Sequence, residues 1–106
     1  MNTQLKKGVL ELCVLATLCY KECYGYELVN ILSAGVEVTE GTIYPILKRL
    51  RDDGYVTTYI SEESEGPPRK YYQITNSGRD TKTQLHEEWV QFNLAVNKIL
   101  DGEQND

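Results

Sequence analysis

Apolar residues crowd the first third of the chain and thin to stripes further on. Within residues 5–20, Leu5, Val9, Leu12, Ala16 and Tyr20 follow helical spacing, and Leu10, Cys13, Leu15 and Leu18 add apolar groups around the cylinder. A helix apolar on most sides has to be covered on most sides. In a short chain this predicts contact with its own core and with a second subunit. Residues 20–25 have the pattern of a connection, with Gly25 near its end. A second helix is predicted over 25–34, with Leu28, Ile31 and Leu32 as its buried stripe. Gly35 is placed to end it, and residues 36–38 form a turn.

A third helix is predicted over 39–53, with Thr39 as N-cap candidate and Gly54 as left-handed cap after Asp52 and Asp53. Ile43, Ile46, Leu47 and Leu50 form its core stripe. Tyr44, Lys48 and Arg51 lie on another face, with Thr42, Pro45 and Arg49 beside them. Proline is tolerated in a first turn and costly deeper, so Pro45 predicts a helix that starts near Thr42 or a bent first turn. Residues 55–61 and 69–75 are rich in Tyr, Thr, Val and Ile, as strands are. A turn from Ser64 to Pro68, stiffened by Pro67 and Pro68, joins them. Along the second strand Tyr72 and Ile74 share one side, and Arg69, Tyr71 and Gln73 the other. A last helix is predicted from Asn76 to Leu100. Its residues Leu85, Trp89, Phe92, Val96 and Ile99 form a heptad-like seam with no later element to cover it. Gly102 ends this helix, and residues 103–106 form a frayed tail.

The predicted fold is mainly α with a small β-hairpin: a winged helix-turn-helix over 1–75, followed by a C-terminal dimerisation helix and tail over 76–106. That layout sets one helix in a DNA major groove and a hairpin beside the backbone. The 106 residues suffice for one small domain and an extra element. The longest apolar stretch is interrupted by Glu11 and too short to span a bilayer, and no basic-then-apolar leader with a small-residue cleavage site is visible. The expected location is the cytoplasm, with no membrane partner.

Charge complicates the picture. The chain carries a net charge of −5, and residues 39–75 hold five basic and six acidic residues. Binding to nucleic acid needs cations facing phosphates rather than a positive total. Lys48, Arg49, Arg51, Arg69 and Lys70 are clustered, whereas Glu62, Glu63 and Glu65 sit together in the hairpin loop. Tyr44, Lys48 and Arg49 are therefore candidates for DNA contact, against the plainer reading of a solvated helix face. Gly41, Thr42 and Pro45 complete the candidate surface, since free N–H groups at a helix start suit a phosphate. Arg69 and Lys70 are the wing candidates, and the alternative for them is a cross-strand ion pair with Glu62 or Glu63. Tyr24 and Tyr26 border the second helix, where backbone contact and packing are both open.

Cys13, Cys19 and Cys23 are odd in number and include no Cys-x-x-Cys pair, which suggests neither a disulfide framework nor a zinc site. Buried reduced thiols are the plain reading and a redox sensor the sharper one. No phosphate-cradling glycine loop or ligand cluster is present, and His86 is the only histidine, so no enzyme, metal or cofactor is expected.

The stretches Val9 to Leu15, Tyr24 to Leu28, Glu40 to Leu50, Asp53 to Val56 and Arg69 to Thr75, with Trp89 beyond, resemble in order and spacing the PadR family of bacterial transcriptional regulators. The pairing of Gly-Thr-Ile-Tyr-Pro at 41–45 with Arg-Lys-Tyr-Tyr at 69–72 is the specific part. The resemblance, to the family's short subgroup, implies a homodimeric repressor on a palindromic operator. It also implies dimerisation of the C-terminal helix against the first helix of the other subunit. In that subgroup the dimer can enclose an aromatic-lined cavity, which makes Trp89 and Phe92 candidate ligand residues as well as seam residues. Two Trp89 indoles stacked on a planar effector would be the form of such a site. The alternative function is a winged helix used for protein–protein contact without sequence-specific DNA binding.

Overall fold

The computed structural model describes residues 3–63 and 65–102, with residues 3–7 given by backbone alone. The elements are α1 (Thr3–Tyr20), β1 (Cys23–Tyr24), α2 (Gly25–Ser33), α3 (Glu40–Asp52), β2 (Val56–Ser61), β3 (Arg69–Ile74) and α4 (Asn76–Leu100). The expected tail at 103–106, Ser64 of the hairpin turn and the side chain of Leu5 lie outside the described residues.

One core joins the first three helices to the sheet. Leu10, Val14, Leu15 and Leu18 of α1 meet Leu28 and Leu32 of α2 and the α3 stripe Ile43, Ile46, Leu47 and Leu50. Val56 and Tyr72 close it from the strands. Each fully buried aliphatic side chain contributes about 1.5–3 kcal/mol relative to exposure, so the α3 stripe alone fixes which face of that helix is outward. On α2 the expected stripe is corrected. Ile31 is 40% exposed, and Val29, at 8%, takes its place. At about 100° per residue, Leu28 and Leu32 are flanked by Ile31 on one side and Val29 on the other. The core lies on the Val29 side.

The predicted connection over 20–25 contains a strand. β1 pairs antiparallel with β3, Cys23 opposite Tyr72 and Tyr24 opposite Tyr71, giving a three-stranded sheet in the order β1-β3-β2. In β2, Val56 faces Ile74, Thr58 faces Tyr72 and Tyr59 faces Tyr71. Tyr72 is buried as its side of β3 requires.

A tight joint connects α3, the hairpin and α4. Gly54 adopts φ +80°, the left-handed conformation that glycine accepts without strain. The Tyr55 N–H then returns to the Leu50 carbonyl at 2.9 Å. The Thr75 hydroxyl donates to the Gly54 carbonyl at 2.8 Å and accepts from the Gly78 N–H at 3.0 Å, so one side chain caps α4 and ties it to the end of α3. Helix α4 then leaves the core, and the chain extends 62 Å along its longest axis against 27 and 21 Å across. Leu85 packs against the core, whereas Trp89, Phe92 and Ile99 further along the same seam are exposed. No helix among the described residues is long and apolar enough to cross a membrane.

Candidate nucleic-acid interface

With its core stripe buried, α3 presents Gly41, Thr42, Tyr44, Pro45 and Lys48 to solvent. The helix starts at Glu40, with Thr39 at the N-cap position as expected, and runs through Pro45; of the two alternatives that Pro45 raised, the later start near Thr42 is the one the structure does not take. Pro45, past the first turn of the helix, removes the N–H that would bond the Gly41 carbonyl, and the buried α3 stripe holds the helix through it. Thr39 occupies the N-cap position without a side-chain cap bond, and its hydroxyl lies 3.3 Å from that of Thr42. Lys48 pairs with Asp52 one turn on, at 3.1 Å. Exposed pairs of this spacing contribute only about 0.3–0.5 kcal/mol, so the ammonium exchanges partners easily.

On the outer side, Tyr44 reaches from α3 to the start of α2. Its ring lies over Gly25, where any β-carbon would stand 2.6 Å from two ring carbons. Partial burial raises the phenol pKa, with nearby Glu40 adding to the shift, so the hydroxyl is a proton donor at neutral pH. Tyr44 shares a groove of about 330 Å³ with Tyr24, Tyr26, Arg69 and Lys70. Residues from α3 and from the wing, far apart in sequence, thus converge beside the start of α2.

The outer face of the sheet carries a row of tyrosines across its strands. Tyr59 stacks on Tyr71 with centroids 5.5 Å apart and planes 13° apart, and Tyr24 meets Tyr71 edge-on at 5.5 Å. Glu22 accepts from the Tyr59 hydroxyl at 2.6 Å and from the Gln73 amide at 2.9 Å. That bond, the largest cause, and added burial push the Tyr59 pKa up to about 12. At the other end the Arg69 guanidinium sits 4.4 Å from the centre of the Tyr24 ring. The cross-strand ion pair with Glu62 or Glu63 considered for Arg69 is absent among the described residues. Sequence pattern put Arg69, Tyr71 and Gln73 on one side of β3; Tyr59 joins them through the register of the predicted hairpin, whereas the part of Glu22 depends on β1, which the sequence pattern missed.

Arg49 turns toward α1. Its Nε donates to Glu11 at 2.8 Å and its Nη2 contacts the same carboxylate oxygen. The pair binds α3 to α1, so Arg49 stands apart from the groove that Tyr44 shares with the wing. The three cysteines are free. Burial raises the Cys13 pKa and pushes that of Cys23 up to about 11, and the Cys23 thiol donates to the Lys21 carbonyl at 3.3 Å. Both are thiols at neutral pH, opposite to what a redox sensor requires.

Three core helices, the third presented outward beside a hairpin with basic residues at its edge, define a winged helix-turn-helix protein. Residues 14–84 match the transcriptional regulator PadR-like family, and the chain belongs to it. The family's members are regulators of transcription rather than enzymes. The chain is 36% identical to the PadR-like transcriptional regulator of Bacillus cereus, covering 98% of this chain and 100% of that one with a TM-score of 0.84. A Streptococcus transcriptional regulator is 38% identical over 92% and 98% of the two chains, with a TM-score of 0.83. Transcriptional regulator Rv3488 of Mycobacterium tuberculosis is 32% identical over 76% of each chain.

Proposed function

We propose that this transcriptional regulator is a homodimeric repressor that binds a palindromic operator in double-stranded DNA. In this reading α3 enters the major groove and the β2–β3 wing rests on the backbone. The observation that carries the reading is the shared groove of Tyr44, Arg69 and Lys70. Two cations and a phenolic donor meet there around a space that a phosphate strand fits. Lys48 and the exposed start of α3, from Gly41 to Pro45, would supply contacts to base edges and neighbouring phosphates. Arg49, held by Glu11, would support α3 from behind.

The exposed strip of Trp89, Phe92 and Ile99 supports assignment of α4 to the dimer contact, since a single chain leaves it uncovered. A groove of about 530 Å³ between α1 and α4, lined by Val9, Leu12, Leu85, Trp89 and Phe92, supports a planar aromatic effector that alters the spacing of the two reading helices.

The experiment is a mobility shift with DNA from upstream of the protein's own coding sequence and with shuffled DNA of equal length. The native sequence is expected to shift at lower protein concentration. Added planar aromatic compounds should quench the single tryptophan and release the DNA from wild type but not from Trp89→Ala. Equal affinity for both DNAs would contradict operator recognition, and the absence of any shift would favour a protein-contact module. Quenching without release would leave Trp89 a packing residue only.

A further inference from the structure

We infer that Tyr24 is a positioning residue for DNA binding: its ring holds the Arg69 guanidinium at the wing edge, and the row Tyr59–Tyr71–Tyr24 holds that ring. The inference rests on the proposed DNA-binding reading and extends it from the cations of the groove to the rings that hold one of them in place. Arg69 is two residues from Tyr71 on β3, and Tyr71 is opposite Tyr24 on β1. Tyr24 and Arg69 are therefore diagonal neighbours on one sheet face, within reach of each other's side chains. The observed 4.4 Å from guanidinium carbon to ring centre places the cation against the ring's negative face.

A free arginine at a hairpin edge samples many rotamers and loses that freedom on meeting a phosphate. Stacking leaves the guanidinium's in-plane N–H groups available, so the arginine is ordered before DNA arrives and still able to donate. The ring in turn is fixed. Tyr24 meets Tyr71 edge-on, Tyr71 is stacked by Tyr59, and Glu22 anchors the far end through Tyr59 and Gln73. Glu22 directly precedes β1, so the same short segment provides both the anchor and the ring.

Tyr24→Phe keeps the ring face, and Tyr24→Leu keeps bulk without it. On operator DNA, Tyr24→Phe should bind within about twofold of wild type and Tyr24→Leu about three- to fivefold more weakly. In an Arg69→Ala background, Tyr24→Leu should have no further effect. The free protein gives a second readout by NMR. The Arg69 Nε–H resonance should be ring-current shifted in wild type and Tyr24→Phe, and lose that shift in Tyr24→Leu. An equal loss of affinity from Tyr24→Leu with and without Arg69, or an unshifted Arg69 resonance in wild type, would overturn the inference. If the resonance behaves as expected but Arg69→Ala binds DNA as wild type does, the wing reading fails and Tyr24 has no cation to position for DNA.

Discussion

Single residues decide how closely the elements approach one another. Gly25 is the clearest case, because the Tyr44 ring occupies the space a β-carbon would take. The obstructing atoms are the far end of a side chain, which can swing away and leave the fold intact. Gly25→Ala is therefore expected to unfold near the wild-type denaturant concentration while binding operator about tenfold more weakly, through loss of the phenolic donor. Unchanged affinity measured by anisotropy would remove Tyr44 from the binding surface. Cys23 makes a different prediction. Its pKa is about 11 in the fold against 9.0 for an unperturbed thiol. Between those values the unfolded chain releases a proton that the folded chain keeps, so stability is full below pH 9.0 and falls as pH rises toward about 11. Chemical denaturation of wild type and Cys23→Ala over that range should show a steeper fall in wild type; parallel curves would contradict it.

At the scale of elements, the joint after α3 carries most of the geometry. Gly78 lies in the first turn of α4, against the Tyr55 carbonyl and with Ile74 Cγ1 2.7 Å from where a β-carbon would stand. Unlike at Gly25, the main obstacle here is backbone. Gly78→Ala should force α4 away from the sheet and loosen the Thr75 cap, lowering stability by about 2 kcal/mol or more in denaturant titration. A shift under about 0.5 kcal/mol would show that the joint can relax. The helices, the hairpin and the outward face of α3 were legible in the sequence, because Ile43, Ile46, Leu47 and Leu50 repeat at a spacing only a helix satisfies. The strand at Cys23–Tyr24 was not legible, because two residues are too few to show alternation. Ile31 and Val29 flank the same buried pair, and only the packing partners choose between them. The Arg49–Glu11 pair and the Arg69–Tyr24 stack join residues distant in the chain, and no local pattern encodes such meetings.

The whole molecule has one well-covered end and one bare end. The core and the candidate DNA surface occupy the first, and α4 carries Trp89, Phe92 and Ile99 uncovered along the second. In the proposed dimer that strip packs against a second copy. The double variant Phe92→Glu/Ile99→Glu should run as a monomer in light scattering at concentrations where wild type is a dimer, and its operator affinity should fall with it. A dimeric double variant would place the contact elsewhere. The central claim is that a chain of net charge −5 binds DNA through a few placed cations. The most direct test is the salt dependence of operator affinity for wild type, Lys48→Ala and Arg69→Ala. Each substitution removes one phosphate contact per protomer, so the slope of log K against log salt should become shallower by about two in each variant dimer. Slopes that stay at the wild-type value in both variants would contradict the account.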